Sequence, residues 1–426
     1  MQMNRLIVPL AVLFTFMVAL VTNAAFAQLP NVDWIDQFGT PGYDRGLGLA
    51  IDGAGGIYLA GKVEGSLGGA GSGGAYLRKY DAAGNILWTD QFGTTTTQDS
   101  AYGVALDGSG GVYVSAYLAE GPGVFLRKYD TAGNAQWTKQ VSDDGTYRGW
   151  GGGVAADTNG GIYVAGTTGT ASMFLAKLDA AGNIAWNKQF GAGWTDGYAV
   201  TLDGYGGIYV TGRTDGNLGG TSAGGGDAFL RKYNASGDVI WTKQLGTSAF
   251  DTGKAVAADE SGGIFLVGYT TGNLDGTNAG GYDTFLRKYD ASGNVVWADQ
   301  FGTSGIDLGL GVTVDESGSV FVTGYTSGSL GGEINAGGSD AFIRKYDIAG
   351  SVQWTKLIGA SSYDFAFASA IDSSERIYTT GETDGSLAGT SAGYRDAYIA
   401  SFPEPATLSL LALGGLALLR RRKLGR

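Results

Sequence analysis

The sequence predicts an all-β protein made of seven copies of one unit of four short strands. Three motifs support this prediction, because each occurs seven times and always in the same order. Trp-x-x-Gln-(Phe/Leu)-Gly, altered in two copies, recurs every 49 to 57 residues and starts at Trp34, Trp88, Trp137, Trp186, Trp241, Trp297 and Trp354. Gly-Gly-Ile-Tyr-Val-x-Gly starts at Gly55, Gly110, Gly160, Gly206, Gly262, Gly318 and, degenerate, Glu375, and Ala-Phe-Leu-Arg-Lys-Tyr-Asp starts at Ala75, Val124, Met173, Ala228, Thr284, Ala341 and Ala397. A fixed period of this length without sustained helical periodicity indicates tandem β units.

Each unit is predicted to contain four strands, A to D, joined by turns. Strand A is small and apolar, and an Asp-x-x-Gly-Gly turn leads to the apolar strand B, because aspartate caps its own backbone and glycine accepts positive φ. Strand C is the Phe-Leu-Arg-Lys-Tyr run, and strand D holds the Trp. The repeats begin with a lone strand D at residues 32–37 and finish with a strand C, so the first strand can complete the last unit. We therefore predict a seven-bladed β-propeller of four-stranded blades over residues 28–402, its ring closed by the N-terminal strand.

Residues 1–27 have the pattern of a secretory signal peptide. Arg5 precedes an apolar run from Leu6 to Val21, and Ala25-Phe26-Ala27 is a small-x-small site of the kind that signal peptidase cuts. We expect export across the inner membrane, with signal peptidase as a processing partner acting after Ala27. A retained membrane anchor is the alternative.

Residues 403–426 combine a short motif, an apolar run and a basic cluster. Pro403, Glu404 and Pro405 precede the apolar residues 406–419, and Arg420, Arg421, Arg422 and Lys423 follow at once. Such a run makes roughly 21 Å of helix against a hydrocarbon core of about 30 Å, so we expect a short transmembrane helix with its basic end in the cytoplasm. The ending resembles the PEP-CTERM sorting signal of exopolysaccharide-producing Gram-negative bacteria. The resemblance implies processing by an exosortase-like enzyme and a cell-surface or extracellular location, with transient or permanent anchoring; a plain tail anchor shares this topology.

The repeat motifs resemble those of a known bacterial family. Gly-Gly-Ile-Tyr-Val-Thr-Gly and Phe-Leu-Arg-Lys-Tyr-Asp-x-x-Gly-Asn-x-x-Trp are similar to the SBBP, or seven-bladed β-propeller, repeat, which occurs mostly in secreted and surface proteins. The resemblance covers nearly the whole chain between the two terminal segments. It implies the fold and an exported location, and it supplies no functional site because the family has no generally assigned activity.

The composition excludes several kinds of chemistry. The 426 residues include no Cys and no His, which removes disulfides, thiolate metal sites, thiol nucleophiles and every Ser-His-Asp triad. Between the terminal segments, 22 basic and 39 acidic side chains give a net charge of −17, which argues against nucleic-acid partners. Any chemistry must then come from Asp, Glu, Tyr, Lys or Arg. Our prediction is a non-enzymatic monomer that requires no cofactor.

Aspartates in the D–A and B–C connections form the first candidate site, because both connections emerge on one face of a propeller. The set comprises Asp44, Asp99, Asp227, Asp251, Asp283, Asp307, Asp340, Asp364 and Asp396. If their carboxylates converge, they form an acidic rim able to hold a hard cation such as Ca²⁺ through oxygen ligands. The alternative is that each aspartate accepts hydrogen bonds from N–H groups of its own loop, which is a routine local role.

The second candidate is a glycan-contacting patch beside an insertion. Residues 143–150 interrupt the repeat near the second and third blades, whose B–C loops are short. Tyr147, Arg148, Trp150 and the off-repeat Trp194 offer aromatic faces with adjacent polar groups, which suit sugars. Local packing under an irregular loop is the alternative.

These expectations lead to three functional hypotheses. The first is an exported, surface-sorted, non-enzymatic propeller that binds or organises exopolysaccharide or other glycans of the extracellular and biofilm matrix. The second is a carboxylate-dependent glycan hydrolase or lyase, which needs two acids about 5 to 10 Å apart, whereas most acids here repeat in every blade. The third is an inert surface spacer.

Overall fold

The computed structural model describes residues 32–67, 73–93, 98–119, 123–142, 152–169 and 172–403. These residues form 28 β-strands in seven four-stranded antiparallel sheets and contain no α-helix. Across these ranges, no helix has the length and apolar character that crossing a membrane requires. The predicted signal peptide, the predicted sorting segment after Pro403, and residues 143–151 lie outside the described residues.

The strands are numbered in chain order, and β1 (Trp34–Phe38) precedes the first complete blade. Blade 1 comprises β2 (Arg45–Ile51), β3 (Ile57–Val63), β4 (Gly74–Tyr80) and β5 (Ile86–Phe92), and blade 2 comprises β6 (Ser100–Leu106), β7 (Val112–Tyr117), β8 (Val124–Tyr129) and β9 (Ala135–Gln140). Blade 3 comprises β10 (Gly152–Ala156), β11 (Ile162–Thr167), β12 (Met173–Leu178) and β13 (Ile184–Phe190), and blade 4 comprises β14 (Thr195–Leu202), β15 (Ile208–Thr214), β16 (Asp227–Tyr233) and β17 (Val239–Leu245). Blade 5 comprises β18 (Asp251–Ala258), β19 (Ile264–Thr270), β20 (Asp283–Tyr289) and β21 (Val295–Phe301), and blade 6 comprises β22 (Asp307–Val314), β23 (Val320–Thr326), β24 (Asp340–Tyr346) and β25 (Val352–Ile358). Blade 7 comprises β26 (Asp364–Ile371), β27 (Ile377–Thr383), β28 (Asp396–Phe402) and, as its fourth strand, β1.

The seven sheets form a closed ring. Strand A of each blade packs against strand A of the next, and the series β2, β6, β10, β14, β18, β22 and β26 returns to β2. β1 pairs antiparallel with β28, with Trp34 opposite Ser401. An ion pair between Asp33 and Arg376 (3.0 Å) adds to this junction. The predicted seven-bladed β-propeller, closed by its N-terminal strand, is confirmed.

The repeated Trp of strand D joins one blade to the next. Trp88 Nε1 donates a hydrogen bond to the Thr131 carbonyl oxygen (3.2 Å) in the C–D turn of blade 2. Gly133 of that turn has φ 88° and lies against the indole, where an added Cβ would be 2.7 Å from Trp88 Cδ2. Glycine is therefore required both for the left-handed backbone and for the close approach.

Aspartates hold the A–B turns, which lie with the C–D turns on one face of the ring, here called the turn face. Asp52 Oδ1 accepts hydrogen bonds from the N–H groups of Ala54 (3.0 Å) and Gly56 (2.7 Å). The equivalent aspartates, which also accept from amides of their own turns, are Asp107, Asp157, Asp203, Asp259, Asp315 and Asp372. These seven carboxylates are thus used by the scaffold.

Six of the innermost strands carry a β-bulge between strands A and B. The extra residues, here called the bulge residues, are Leu47, Tyr102, Tyr198, Lys254, Leu310 and Phe367. A bulge leaves its residue unpaired and re-aims the side chain. Lys254 Nζ lies 3.8 Å from the ring centroid of Tyr198 on the neighbouring blade, so these two bulge residues turn toward the common centre of the ring.

Candidate ligand site at the loop face

The D–A and B–C loops emerge together on the face opposite the turns, here called the loop face. A short parallel bridge between Tyr282 and Ile306 joins a B–C loop to the following D–A loop. The Gln of the Trp motif fixes the B–C loop from strand D. In blade 5, Gln300 Oε1 accepts from the Leu274 N–H (2.9 Å), and its Nε2 donates to the Gly272 carbonyl oxygen (2.9 Å). The loop face is therefore anchored to the rigid sheet.

The predicted rim aspartates are buried at the boundaries between blades. They form four pairs, each with one aspartate at the start of strand C of one blade and the other at the start of strand A of the next blade. The pairs are Asp227 with Asp251, Asp283 with Asp307, Asp340 with Asp364, and Asp396 with Asp44. Asp99 lies beside Gly74, which occupies the position of the strand C aspartate in blade 1. The structure thus gathers most of these aspartates two at a time. The residues it describes contain no group of three or more acids suited to a metal ion, and binding of Ca²⁺ stays a prediction.

The pair in blades 5 and 6 shows how each carboxylate is used. Asp283 Oδ2 accepts hydrogen bonds from the Ala279 N–H (2.9 Å) and from Gln300 Nε2 (3.1 Å). Asp307 Oδ2 accepts from the Thr303 N–H (2.6 Å). Asp283 Oδ1 is buried and has no hydrogen-bond donor among the described residues. These aspartates therefore hold their own loops, as the alternative to a cation rim requires.

Burial changes the proton affinity of five of these carboxyl groups. It raises the pKa of the carboxyl groups of Asp44, Asp251, Asp307 and Asp340. Burial raises the pKa of Asp364 to about 6, and the charge of Asp340 beside it acts in the same direction. The cause is that a desolvated carboxylate loses its hydration, so the neutral form is favoured.

At the centre of the loop face, side chains differ from blade to blade. Two repeat positions supply them, and together they are called the channel mouth. The first position holds the bulge residues, and the second follows the strand B glycine or alanine and holds Lys62, Tyr117, Thr167, Arg213, Tyr269, Tyr325 and Glu382. All of these side chains are half-buried except that of Glu382, which is buried. The blades therefore share a backbone here but present aliphatic, aromatic and charged groups in turn.

On the side of blades 4 and 5, the channel mouth holds a lysine among aromatic rings, and a buried aspartate lies beside it. Lys254 Nζ lies 5.7 Å from the Tyr269 ring centroid, in addition to its contact with Tyr198. Asp196 is buried and accepts hydrogen bonds from Trp194 Nε1 (2.9 Å) and the Tyr198 hydroxyl (3.2 Å). Burial lowers the pKa of Lys254 to about 8, although Asp196 opposes this effect. Burial therefore favours the uncharged form of this amine.

On the side of blades 6, 7 and 1, aromatic rings lie beside an ion triad. The rings of Tyr325 and Phe365 are 4.2 Å apart between centroids. The buried Glu382 pairs with Arg45 Nε (2.5 Å) and with the guanidinium group of Arg395. Arg395 Cζ lies 5.2 Å from the Phe365 centroid. This triad connects blade 7 to blade 1 and places charged groups next to aromatic faces.

The D–A loops add an outer set of apolar residues. In five blades, the residue at the end of this loop, next to the first aspartate of strand A or its equivalent, is Tyr43, Trp194, Phe250, Ile306 or Tyr363. Tyr43 stacks on Tyr394 at 5.3 Å, and 71 % of the Tyr394 surface is exposed. These rings extend the aromatic surface outward from the channel mouth.

Of the predicted glycan patch, only Trp194 lies within the described residues, since Tyr147, Arg148 and Trp150 lie outside them. Trp194 lies outside the strand D Trp motif and occupies the same repeat position as Phe250, at the end of a D–A loop, and its role in a glycan patch stays a prediction. The sequence analysis also missed Lys254 and Phe365. An alignment of the seven repeats would have revealed both, because they stand at positions where the residue type differs between blades.

A cavity of about 290 Å³ lies on the turn face between blades 1 and 2. Asp52 is the acid in its described lining, and it accepts hydrogen bonds from the Gly56 N–H (2.7 Å) and the Tyr58 hydroxyl (3.1 Å). Lys79 Nζ lies 3.4 Å from the same carboxylate. The polar groups of this cavity are thus used by the turn, which makes the channel mouth the better candidate for a ligand site.

The fold and the repeats define a β-propeller repeat protein. Four segments of the chain, residues 185–219, 240–275, 296–331 and 353–388, match the family model described as SBBP, beta-propeller repeat. They run from strand D of one blade into the next blade, from blade 3 to blade 7.

Two curated relatives match parts of the chain. The regulatory protein FlaEY of Caulobacter vibrioides is 28 % identical over 215 residues, which is 46 % of this chain and 22 % of the relative. An uncharacterized WD repeat-containing protein, L264, of Acanthamoeba polyphaga mimivirus is 27 % identical over 141 residues, which is 28 % of this chain and 10 % of the relative. The chain thus matches about a fifth of the first relative and a tenth of the second.

Two solved structures that align with most of this chain come from proteins of different kinds. Extracellular domains 1–2 of Drosophila semaphorin 1b are 10 % identical with a TM-score of 0.48, covering 88 % of this chain and 87 % of that chain. A luciferin-regenerating enzyme is 11 % identical with a TM-score of 0.44, covering 87 % and 96 %. Neither likeness bears on function.

Proposed function

We propose that this protein is an exported, non-enzymatic binding module that holds a saccharide chain of the extracellular matrix against its channel mouth. The observation that carries the proposal is the contrast between the uniform blades and the channel mouth. Packing dictates one residue type at each scaffold position of a repeat, whereas no such constraint explains side chains that change from blade to blade. Function concentrates on loops positioned by a rigid scaffold, as here.

The chemistry of the channel mouth favours a saccharide. The half-buried rings of Tyr325 and Phe365 supply apolar surface suited to sugar C–H groups, and the Arg395 guanidinium group lies over the Phe365 ring. A few placed polar groups among aromatic walls are typical of small-molecule and glycan sites.

Export and orientation fit the same proposal. The signal-peptide and sorting patterns at the two ends favour a cell-surface location. The described chain begins and ends on the turn face, where Trp34 Nε1 donates to the Ala82 carbonyl oxygen (3.2 Å) and Trp34 lies opposite Ser401. A C-terminal segment held in a membrane would therefore leave the loop face pointing away from that membrane.

The competing hypotheses gain less support. A hydrolase or lyase needs two accessible carboxylates, whereas the paired aspartates have at most 1 % of their surface exposed and accept hydrogen bonds from their own loops. An inert spacer gives no reason for aromatic and charged residues to collect at the channel mouth.

Two exposed tyrosines allow a matched test of the proposal. Tyr394 on the loop face and Tyr205 on the turn face are 71 % and 76 % exposed. We expect the full-length protein to bind a neutral exopolysaccharide on a glycan array, because a net charge of −17 between the terminal segments disfavours a polyanion. We expect Tyr394→Ala to weaken this binding about five- to tenfold, and Tyr205→Ala to leave it unchanged. Equal effects of the two changes, or no binding by the unaltered protein, would contradict the proposal.

A further inference from the structure

Lys254 is the lysine among the six described bulge residues, the others being Leu47, Tyr102, Tyr198, Leu310 and Phe367. Its bulge position directs the side chain to the centre of the ring, and it is half-buried, so a small ligand entering the channel mouth can reach it. The scaffold does not require lysine there, since the other blades carry aliphatic or aromatic residues.

The groups that face Lys254 come from three elements. β14 contributes Asp196 and Tyr198, β15 contributes Arg213, and β19 contributes Tyr269. Arg213 donates to Asp215 (2.6 Å), so its guanidinium group is already engaged. Among the described residues, the Lys254 ammonium group contacts the faces of Tyr198 and Tyr269, and it lies near the Asp196 carboxylate and the Arg213 guanidinium group.

This environment makes the amine nucleophilic at neutral pH. Because burial lowers the pKa of Lys254 to about 8, a much larger fraction of this amine is uncharged at pH 7.5 than of an ordinary lysine. An exposed lysine with a pKa near 10.4 is uncharged to only about 0.1 % at that pH. Desolvated lysines in apolar pockets are the usual amines for imine formation with carbonyl compounds.

We propose that Lys254 captures an aldehyde as an imine, and that the aldehyde is the open-chain reducing end of a bound saccharide. This inference rests on the proposed function and names the end of the ligand that enters the channel. The nitrogen lone pair attacks the carbonyl carbon and forms a C–N bond, and the nitrogen passes a proton to the oxygen to give a carbinolamine. This hydroxyl group then leaves with the remaining N–H proton as water, the nitrogen lone pair forms the C=N bond, and the step needs no oxidant or reductant.

A trapping experiment with a simple aldehyde tests the amine alone. The full chain is incubated with glycolaldehyde and cyanoborohydride at pH 7.5, and labelled lysines are located by peptide mass spectrometry. We expect Lys254 to be labelled at least tenfold faster than the exposed Lys139, with half-maximal rate near pH 8. Asp196→Asn should move that midpoint to lower pH, because the Asp196 charge raises the pKa of Lys254. Labelling of Lys254 no faster than that of Lys139 would overturn the inference.

A second experiment tests the saccharide end. An oligosaccharide that binds the protein is offered with its free reducing end or as its alditol, and we expect only the reducing form to be trapped on Lys254. Lys254→Arg, which keeps the charge, should lose trapping. Binding of both forms without trapping of either would overturn this inference and leave the proposed function intact. Selective glycolaldehyde labelling in a protein that binds no saccharide would overturn the proposed function, and the saccharide ligand with it, but not the reactivity of the amine.

Discussion

The glycine that ends the Trp-x-x-Gln-Phe-Gly motif separates two buried carboxylates. At Gly302, an added Cβ would be 3.0 Å from Asp307 Oδ2 and closer still to Asp283 Oδ1. Neither carboxylate can move away easily, because each is held by N–H groups of its own loop. The glycine is therefore required by packing, without any need for positive φ.

We expect Gly302→Ala to lower the free energy of unfolding by about 1–3 kcal/mol, the usual cost of overpacking a filled interior. Gly53→Ala is the control, because no atom lies within 4 Å of a Cβ built there, and its effect should stay within about 0.5 kcal/mol. Urea unfolding of both variants measures the difference. Equal stabilities would show that the blade boundary adapts to the methyl group.

Asp364 predicts a pH dependence of stability with a definite sign. Its pKa is about 6 in the folded protein and about 3.9 in an unfolded chain, so the folded state binds the proton more tightly. This group therefore adds stability that is complete below about pH 4 and is lost as the pH rises through about 6. We expect wild type to lose on the order of 1–3 kcal/mol relative to Asp364→Asn between pH 4 and 7.

Urea unfolding at several pH values measures this difference. Glu260→Gln, which removes an exposed carboxyl group in an A–B turn, should keep the pH profile of wild type. A profile of Asp364→Asn that runs parallel to wild type would contradict the assignment.

At this scale, sequence reasoning found the aspartates and their local role but missed their pairing. The partners belong to different blades, and only the closed ring brings them together. One signal was available, since Asp227, Asp283 and Asp340 each precede their partners Asp251, Asp307 and Asp364 by the same 24 residues.

At the scale of strands and loops, the Gln in strand D holds the B–C loop of the same blade. Gln300 serves the N–H groups of Leu274 and Asp275 and the carbonyl oxygen of Gly272. It also donates to Asp283 Oδ2. One side chain therefore fixes both ends of a loop that borders the channel mouth.

We expect Gln300→Leu to free this loop, because it leaves two N–H groups and two acceptors without their partner, at about 1–3 kcal/mol for each buried group left unsatisfied. Amide exchange in residues 271–282 should become at least about tenfold faster. Gln353→Leu, at an exposed glutamine of strand D in blade 6, should leave exchange in the B–C loop of that blade unchanged, because its side chain donates to Asp347 and Ser351 near the C–D turn instead. Unchanged exchange in Gln300→Leu would show that the loop is held by other contacts.

The four strands of each blade and their order could be predicted, because residue type and turn chemistry recur seven times. The bulges could not. A bulge depends on how many residues of strand A pair with strand B, and the local sequence does not specify that number. In sequence, Lys254 therefore looks like any exposed lysine of an alternating strand. The channel mouth therefore followed only from the pairing register.

At the scale of the whole molecule, closure depends on five residues of β1. They pair with β28, and Trp34 lies against the C–D turn of blade 1. Arg45 of blade 1 and Arg395 of blade 7 both pair with Glu382. Blade 7 is thus joined to blade 1 in two places. The β1–β28 backbone pairing does so at the outer strand, and the Arg45–Glu382–Arg395 ion pairs do so near the channel mouth.

We expect a chain lacking residues 32–38 to unfold at a lower temperature and to aggregate, because β28 would become an open sheet edge. A synthetic peptide of residues 28–40 should restore the thermal midpoint, and the same peptide with Trp34→Asp should not. Thermal scans and light scattering measure both properties. A truncated chain that remains monomeric with the midpoint of wild type would contradict this role for β1.

The pairing of the first described strand with the last also has a consequence for biosynthesis. β1 must wait without its partner while six blades are assembled, and it finds that partner only when Ser401 has been added. Joining such distant segments slows folding more than it weakens the product, because the entropy lost grows only with the logarithm of the separation. A polypeptide interrupted anywhere before β28 keeps an unsatisfied edge that proteases and chaperones can recognise. Ring closure removes this edge, so an exposed strand edge marks a chain that lacks β28.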